Sequence, residues 1–280
     1  MRRSSFLVAV VGFSLIGAAC SSGPRPPQPG TPAFYLAAAK STYASGDFVK
    51  TNDNLSQLAS SEFGAQTQPW AIVISAGLAK GYTDLAENFE FGARANRGNP
   101  TPFRRQTTQL RNLASAATMQ CVETTHKFLE ANKADPIVFD FGYPTGSAVE
   151  PVQLQRVAKG MILPDSDVES LQKTMVQRGV LLTVTRAVGA NDDSAKALDV
   201  FKAGEVKVPR AVFLTALGKS LFDQADLYTP RKLDQPERLK VVCEHASEAL
   251  KGAPQTKETK ELLGKIDKLV KPGKKNAAGI

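Results

Sequence analysis

Residues 105–132 read RQTTQLRNLASAATMQCVETTHKFLEAN, and their spacing decides the fold class. Leu110, Leu113, Ala117, Cys121 and Phe128 recur at intervals of three, four or seven, so they share one face of an α-helix and Cys121 points to the core. The same periodicity continues on both sides. Upstream, Trp70 to about Phe91 forms a long helical pattern, preceded by Ala33–Ser45 and Phe48–Ala59 with a break at Gly46-Asp47. Downstream follow Ser166–Val188, Asp193–Lys202, Pro209–Tyr228, Asp234–Leu250 and Thr256–Val270. Local signals support these boundaries. Ser166 and Glu169 have capping-box spacing, Pro209 suits a first helical turn, and Gly252 follows Leu250 as a C-terminal stop. Leu239, Val242, Cys243, Ala246 and Leu250 form one stripe, and Leu262, Leu263, Ile266, Leu269 and Val270 another. Val180–Val184 is apolar enough for a strand, but it reads as a helical continuation.

These are about nine helices with short connections, an all-α chain. The exception is Ile137 to Tyr143, where Ile137, Phe139, Phe141 and Tyr143 alternate beside Asp135-Pro136. With the loop from Pro144 to Glu150, this reads as a strand-like insertion between helical halves, and residues 134–164 are a candidate sub-boundary within the helical domain, 33–270. Phe139, Phe141 and Tyr143 are candidate partner or ligand contacts lining a groove. The competing reading makes Phe139 and Phe141 a plug between the halves.

Tyr43, the Gly46-Asp47 break and the helix after it resemble half of a tetratricopeptide repeat. So do Leu221–Tyr228 and the helix that ends before Ala253-Pro254. That resemblance implies an α-solenoid of helix pairs with a concave binding face. No 34-residue window carries most of the family's positions, and an irregular helical bundle gives the same stripes. Both arrangements stay open.

The N-terminus carries a separate message. Arg2 and Arg3 precede an apolar run from Phe6 to about Ile16, then small residues and Cys20, which is the layout of a secretory signal peptide over 1–19. The run is shorter than the ~20 residues a spanning helix needs. Leu15-Ile16-Gly17-Ala18-Ala19-Cys20 resembles the lipobox of bacterial lipoproteins, with Gly17 where that family favours Leu. The resemblance implies cleavage before Cys20, acyl chains (palmitate among them) on Cys20, and a membrane-anchored protein facing the periplasm. Ser21 after the Cys favours the outer over the inner membrane in the proteobacterial sorting pattern. Residues 20–32 then form the lipidated Cys and a linker rich in Pro24, Pro26, Pro27, Pro29 and Pro32. As polyproline II this linker would hold the domain about 37 Å from the bilayer.

Composition sets limits on the rest. A hydrophobic fraction of 42% and a charged fraction of 22% are ordinary for a folded domain. The net charge of +8 is uneven, with eight Lys against three acids from Lys251 to Ile280, so residues 271–280 read as a basic disordered tail. An exported chain has no expected use for nucleic acid. Cys121 and Cys243 are either buried free thiols or a disulfide between the two halves, since the periplasm permits both states.

The sequence carries no motif for chemistry. His126 and His245 lack metal-ligand spacing; His126 sits at the edge of a core stripe and His245 points to solvent. Gly218-Lys219-Ser220 mimics a phosphate loop without its first Gly, and Asp140-Phe141-Gly142 mimics a kinase motif without its partners. Acidic pairs such as Asp165/Asp167 and Asp192-Asp193 fall at helix starts, where they suit the dipole. The expectation is therefore a non-enzymatic lipoprotein with no cofactor and no metal, a scaffold for an envelope protein. A carrier of a small apolar ligand serving a transporter is the alternative. An enzyme acting on cell wall or lipid is third.

Overall fold

The computed structural model describes residues 27–270 of the 280-residue chain. The proposed signal peptide, Cys20 and most of the linker, as well as the basic tail 271–280, lie outside the described residues. At the centre is α3 (Gly64–Ala95), a helix buried along most of its length. It begins well before Trp70, the start expected from periodicity. Pro69 lies inside the helix, and the Asn132 side-chain amide donates at 3.0 Å to the Ala65 carbonyl that a Pro69 N–H would have bonded.

Ahead of α3 lie α1 (Pro32–Ala44) and α2 (Phe48–Ser56), which pack on each other. Thr31 caps α1 by accepting from the Phe34 N–H, and Asp47 caps α2 by accepting from the Lys50 N–H. After α3 come α4 (Thr101–Ala131), the short strand β1 (Ile137–Phe139) and α5 (Val152–Ala158). Then follow α6 (Asp165–Ala187), α7 (Ser194–Lys202), β2 (Val206–Val208), α8 (Arg210–Ala225), α9 (Pro236–Lys251) and α10 (Lys257–Val270). Among the described residues this gives ten α-helices and one two-stranded antiparallel sheet, with Ile137 opposite Val208 and Phe139 opposite Val206. The chain is all-α, and Val180–Val184 is helical as expected.

Of the two arrangements left open, the bundle describes the packing. In a solenoid each helix meets its sequence neighbours. Here α3 runs along both α4 and α6, and it also touches α2, α5 and α8. Three glycines make the α3–α6 contact possible. A Cβ on Gly77 would lie 2.6 Å from the Val180 Cα, one on Gly81 2.5 Å from the Met175 O, and one on Gly179 2.1 Å from the Gly77 O. The Thr183 hydroxyl adds a cross-helix bond to the Val73 carbonyl at 2.9 Å. Sequence neighbours do pack from α1 to α4 and from α8 to α10, as helix pairs do in a repeat.

Two helix starts differ from the expected ones. α6 starts at Asp165 straight after Pro164, so Ser166 lies inside the first turn, where Asp165 and Asp167 face the helix dipole. α9 starts at Pro236, whose fixed φ suits that position, and Asp234 instead turns the chain at φ +52°.

Residues 134–164 do not divide the core. Ile137, Phe139, Phe141, Leu154, Val157 and Leu163 all belong to one buried cluster that extends from Ala39 to Ile266. Asp135 also caps α8, accepting from the Arg210 N–H at 3.0 Å. No helix among the described residues is long and apolar enough to cross a membrane.

Candidate functional site

An open cleft of about 600 Å³ lies where the C-terminal end of α6 meets α8 and α10. Its floor and walls mix apolar with charged groups. Val212, Ala216 and Leu262 supply the apolar part; Arg186, Lys219, Asp192, Asp223 and Glu258 supply the charge.

The α6–α7 turn shapes one rim. Gly189 has φ +76°, and Asn191 and Asp192 follow at +49° and +68°. Gly, Asn and Asp tolerate this left-handed region best, so the sequence suits the turn. The Arg186 guanidinium holds the turn in place. It donates twice to Asp192, at 2.6 and 3.1 Å, and once to Asp223 of α8 at 3.0 Å. Such forked pairing fixes direction as well as charge. The hydrogen bonds from Arg186 hold the Asp192 carboxyl below the usual carboxylate range, and those same bonds push the Arg186 guanidinium up. On the opposite wall Lys219 of α8 meets Glu258 of α10 at 2.7 Å.

A smaller cleft of about 120 Å³ adjoins the first and shares Arg186 and Asp223 with it. Lys232 pairs there with Glu87 at 2.6 Å and Asp226 at 2.7 Å, and Lys80 with Asp84 at 2.6 Å. The two clefts form one charged furrow along α8. A furrow of paired charges and small apolar patches is suited to recognising a polar or charged segment by hydrogen bonds and charge.

The aromatic candidates lie elsewhere. Phe139 and Phe141 are buried and pack on Trp70, Phe139 edge-on at 5.1 Å and Phe141 stacked at 4.5 Å between ring centroids. Tyr43 completes the cluster at 5.1 Å from both Trp70 and Phe141, and its hydroxyl donates to the Gly142 carbonyl at 2.9 Å. The expected groove is thus corrected to the competing plug: these rings have no free face. Tyr143 is half-buried, with Phe201 at 5.3 Å, Thr185 Oγ1 at 3.1 Å and the Ser194 carbonyl at 3.3 Å from its hydroxyl. It ties the loop to α6 and α7.

Cys121 and Cys243 are both free and fully buried, so the bridge left open by the sequence is not formed. Burial pushes both thiols up to about 11, which leaves little thiolate at neutral pH.

His245 does not point into solvent. Its ring is largely shielded and lies 5.4 Å from that of His126, across α4 and α9. Glu130 stands 3.4 Å from His126 and Glu248 3.4 Å from His245. Among the described residues no group of three or more His, Cys, Asp or Glu is placed to hold a metal ion. Gly218-Lys219-Ser220 is mid-helix in α8, as expected; Gly218 sits against Leu250, whereas Lys219 belongs to the cleft. Asp140 makes a surface pair with Lys40 at 3.0 Å.

Of the cleft residues, sequence reasoning placed Asp192 beside Asp193 as a helix-start acid. Asp193 does cap α7, accepting from the Ala195 and Lys196 N–H groups, but Asp192 turns back to Arg186. Arg186, Lys219, Asp223 and Glu258 gave no signal. No protein-family model, curated protein or solved structure matches this chain.

Proposed function

We propose that this protein is a lipoprotein anchored through Cys20, most favourably in the outer membrane, that serves on the periplasmic side as a non-enzymatic helical scaffold docking another envelope protein. The N-terminal layout and the lipobox-like residues support the anchor, and the Pro-rich linker gives the domain reach. The observation that carries the docking role is the open, charge-lined cleft between α6, α8 and α10. A carrier of a small apolar ligand needs an enclosed apolar chamber. This cleft is open, and ion pairs line it, so it favours a protein partner over such a ligand.

Two measurements test the proposal. Cys20→Ala should shift the protein from the membrane to the soluble periplasmic fraction or leave it unprocessed; normal maturation and membrane retention would rule out the lipid anchor. A photo-cross-linking residue in place of Leu262 should capture a single stoichiometric envelope protein in intact cells. Val149, exposed and outside the cleft, is the control position. Equal capture from both positions, or none from either, would remove the docking role.

A further inference from the structure

Most ion pairs of the furrow share an orientation. Arg186, Lys219 and Lys232 lie deeper than the acids they meet, whereas Lys80 and Asp84 are equally exposed. The Arg186 side chain is 22% exposed against 52% for Asp192 and 48% for Asp223; Lys219 is 28% exposed against 64% for Glu258. Lys232 is likewise more shielded than Glu87 and Asp226. Elsewhere the order is mixed: it is reversed at Lys40–Asp140 and Lys50–Asp47 and the same at Arg111–Glu90 and Lys127–Glu123.

A molecule entering the furrow therefore meets more carboxylate than guanidinium or ammonium surface. The acids also outnumber the cations. Asp192, Asp223 and Glu258 face Arg186 and Lys219 in the larger cleft. An ionised carboxylate has about four acceptor positions, so each acid retains free ones after its internal pair. A second observation has the same sign. Gln224 is buried, lines the smaller cleft, and its Oε1 has no hydrogen-bond partner among the described residues. An amide oxygen accepts and cannot donate. The furrow is thus short of donors although the chain as a whole is basic, at +8.

We propose that this furrow receives a lysine- or arginine-bearing segment of the partner protein, an inference that rests on the scaffold reading above. The segment's apolar side chains lie against Val212, Ala216 and Leu262. Its cationic side chains reach Asp192, Asp223 and Glu258. The smaller cleft accepts one ammonium or guanidinium head beside Gln224. Because the acids are half exposed, their attraction is screened by salt, and binding weakens as ionic strength rises.

The test measures binding of the full chain to two fluorescein-labelled heptapeptides, Ala-Leu-Lys-Ala-Leu-Lys-Ala and its counterpart with Glu for Lys, by fluorescence anisotropy at low salt. The lysine peptide should bind at least tenfold more tightly. Glu258→Gln, an exposed change that keeps the side chain's shape, should weaken it several-fold. Asp223→Asn combined with Glu258→Gln should abolish the preference, with circular dichroism confirming the fold. Preference for the glutamate peptide, binding indifferent to these substitutions, or no binding of either peptide would overturn the proposal. If deletion of 271–280 strengthens lysine-peptide binding, the occupant is this chain's own Lys271, Lys274 and Lys275, and the partner assignment fails. Mapping the cross-link from position 262 separates the two levels: a captured segment without Lys or Arg removes this inference and leaves the scaffold standing, whereas capture of no protein removes the scaffold.

Discussion

Gly179 of α6 meets the Gly77 carbonyl of α3 so closely that a Cβ on Gly179 would lie 2.1 Å from that oxygen. Glycine costs about 1 kcal/mol in a helix interior, so each helix gives up intrinsic stability for this contact. The return is close packing of α3 against α6, with Val180 buried at the seam.

Gly179→Ala should therefore destabilise the protein by about 3 kcal/mol or more, since both contacting groups are backbone and the overpacking cannot relax through a side chain. Gly264→Ala provides the opposite case: its position on α10 has nothing within 4 Å, so the same change should stabilise by about 0.5–1 kcal/mol. Urea unfolding of both variants checks the pair. Equal effects would mean that α3 and α6 are not packed in this way.

Phe141→Ala should cost about 3–5 kcal/mol, because it empties the position stacked on Trp70 beneath Tyr43. Tyr143→Phe removes only the hydroxyl that meets Thr185 and the Ser194 carbonyl, and should cost about 1 kcal/mol. Neither residue touches the charged furrow, so the cross-linking yield at position 262 should be unchanged in Tyr143→Phe. A loss of capture without a loss of stability would restore the aromatic groove.

The helices were legible in the sequence where one face carries the whole burial. The stripes through Leu110 and Cys121, Val242 and Ala246, and Leu262 and Ile266 gave α4, α9 and α10 almost in full. α5 was not legible, because in seven residues Leu154 and Val157 are the only buried positions and no period can be read from two. β2 has the same difficulty, with three residues and a partner 69 positions upstream. The hub role of α3 was hidden because Gly77 and Gly81 have no side chain to mark a buried face, although they make its closest contacts with α6. The furrow was hidden for a different reason. Periodicity separates inward from outward faces within one helix, but Arg186, Asp223 and Glu258 belong to three, and only tertiary packing sets those outward faces together. The left-handed turn after Gly189, with Asn and Asp at the next strained positions, was the single local clue.

Alkaline pH should destabilise the fold from about pH 9 upward. Burial raises the Cys121 and Cys243 thiols from 9.0 to about 11, and it raises the Tyr43, Tyr82 and Tyr228 phenols above 10.0. Between pH 9 and 11 the unfolded chain loses thiol protons that the folded chain retains, so stability falls as pH rises. Cys121→Ala/Cys243→Ala should flatten the first part of this decline and leave the part above pH 10, where the phenols act. In the native protein both thiols should resist a thiol-specific reagent and react once urea unfolds the chain. Rapid native labelling would contradict their burial.

The Arg186–Asp192 pair should leave its mark at the acid end. Arg186 depresses the Asp192 carboxyl, so the folded state holds it ionised where the unfolded chain already binds a proton. Its contribution is fully present above about pH 4 and disappears as pH falls through the lowered value. Because Asp192 is half exposed, the contribution is about 1 kcal/mol and not the larger figure of a buried pair. Asp192→Asn keeps a residue that tolerates φ +68° and removes the charge, so it should cost about that much at pH 7 and less at pH 2. Arg186→Met should cost more at pH 7, since it frees Asp192 and Asp223 together and releases the turn. Urea midpoints at pH 7 and pH 2 for the three proteins decide the matter. If Asp192→Asn is equally destabilising at both, the turn depends on the shape of Asp192, and the rim of the furrow is not held by charge.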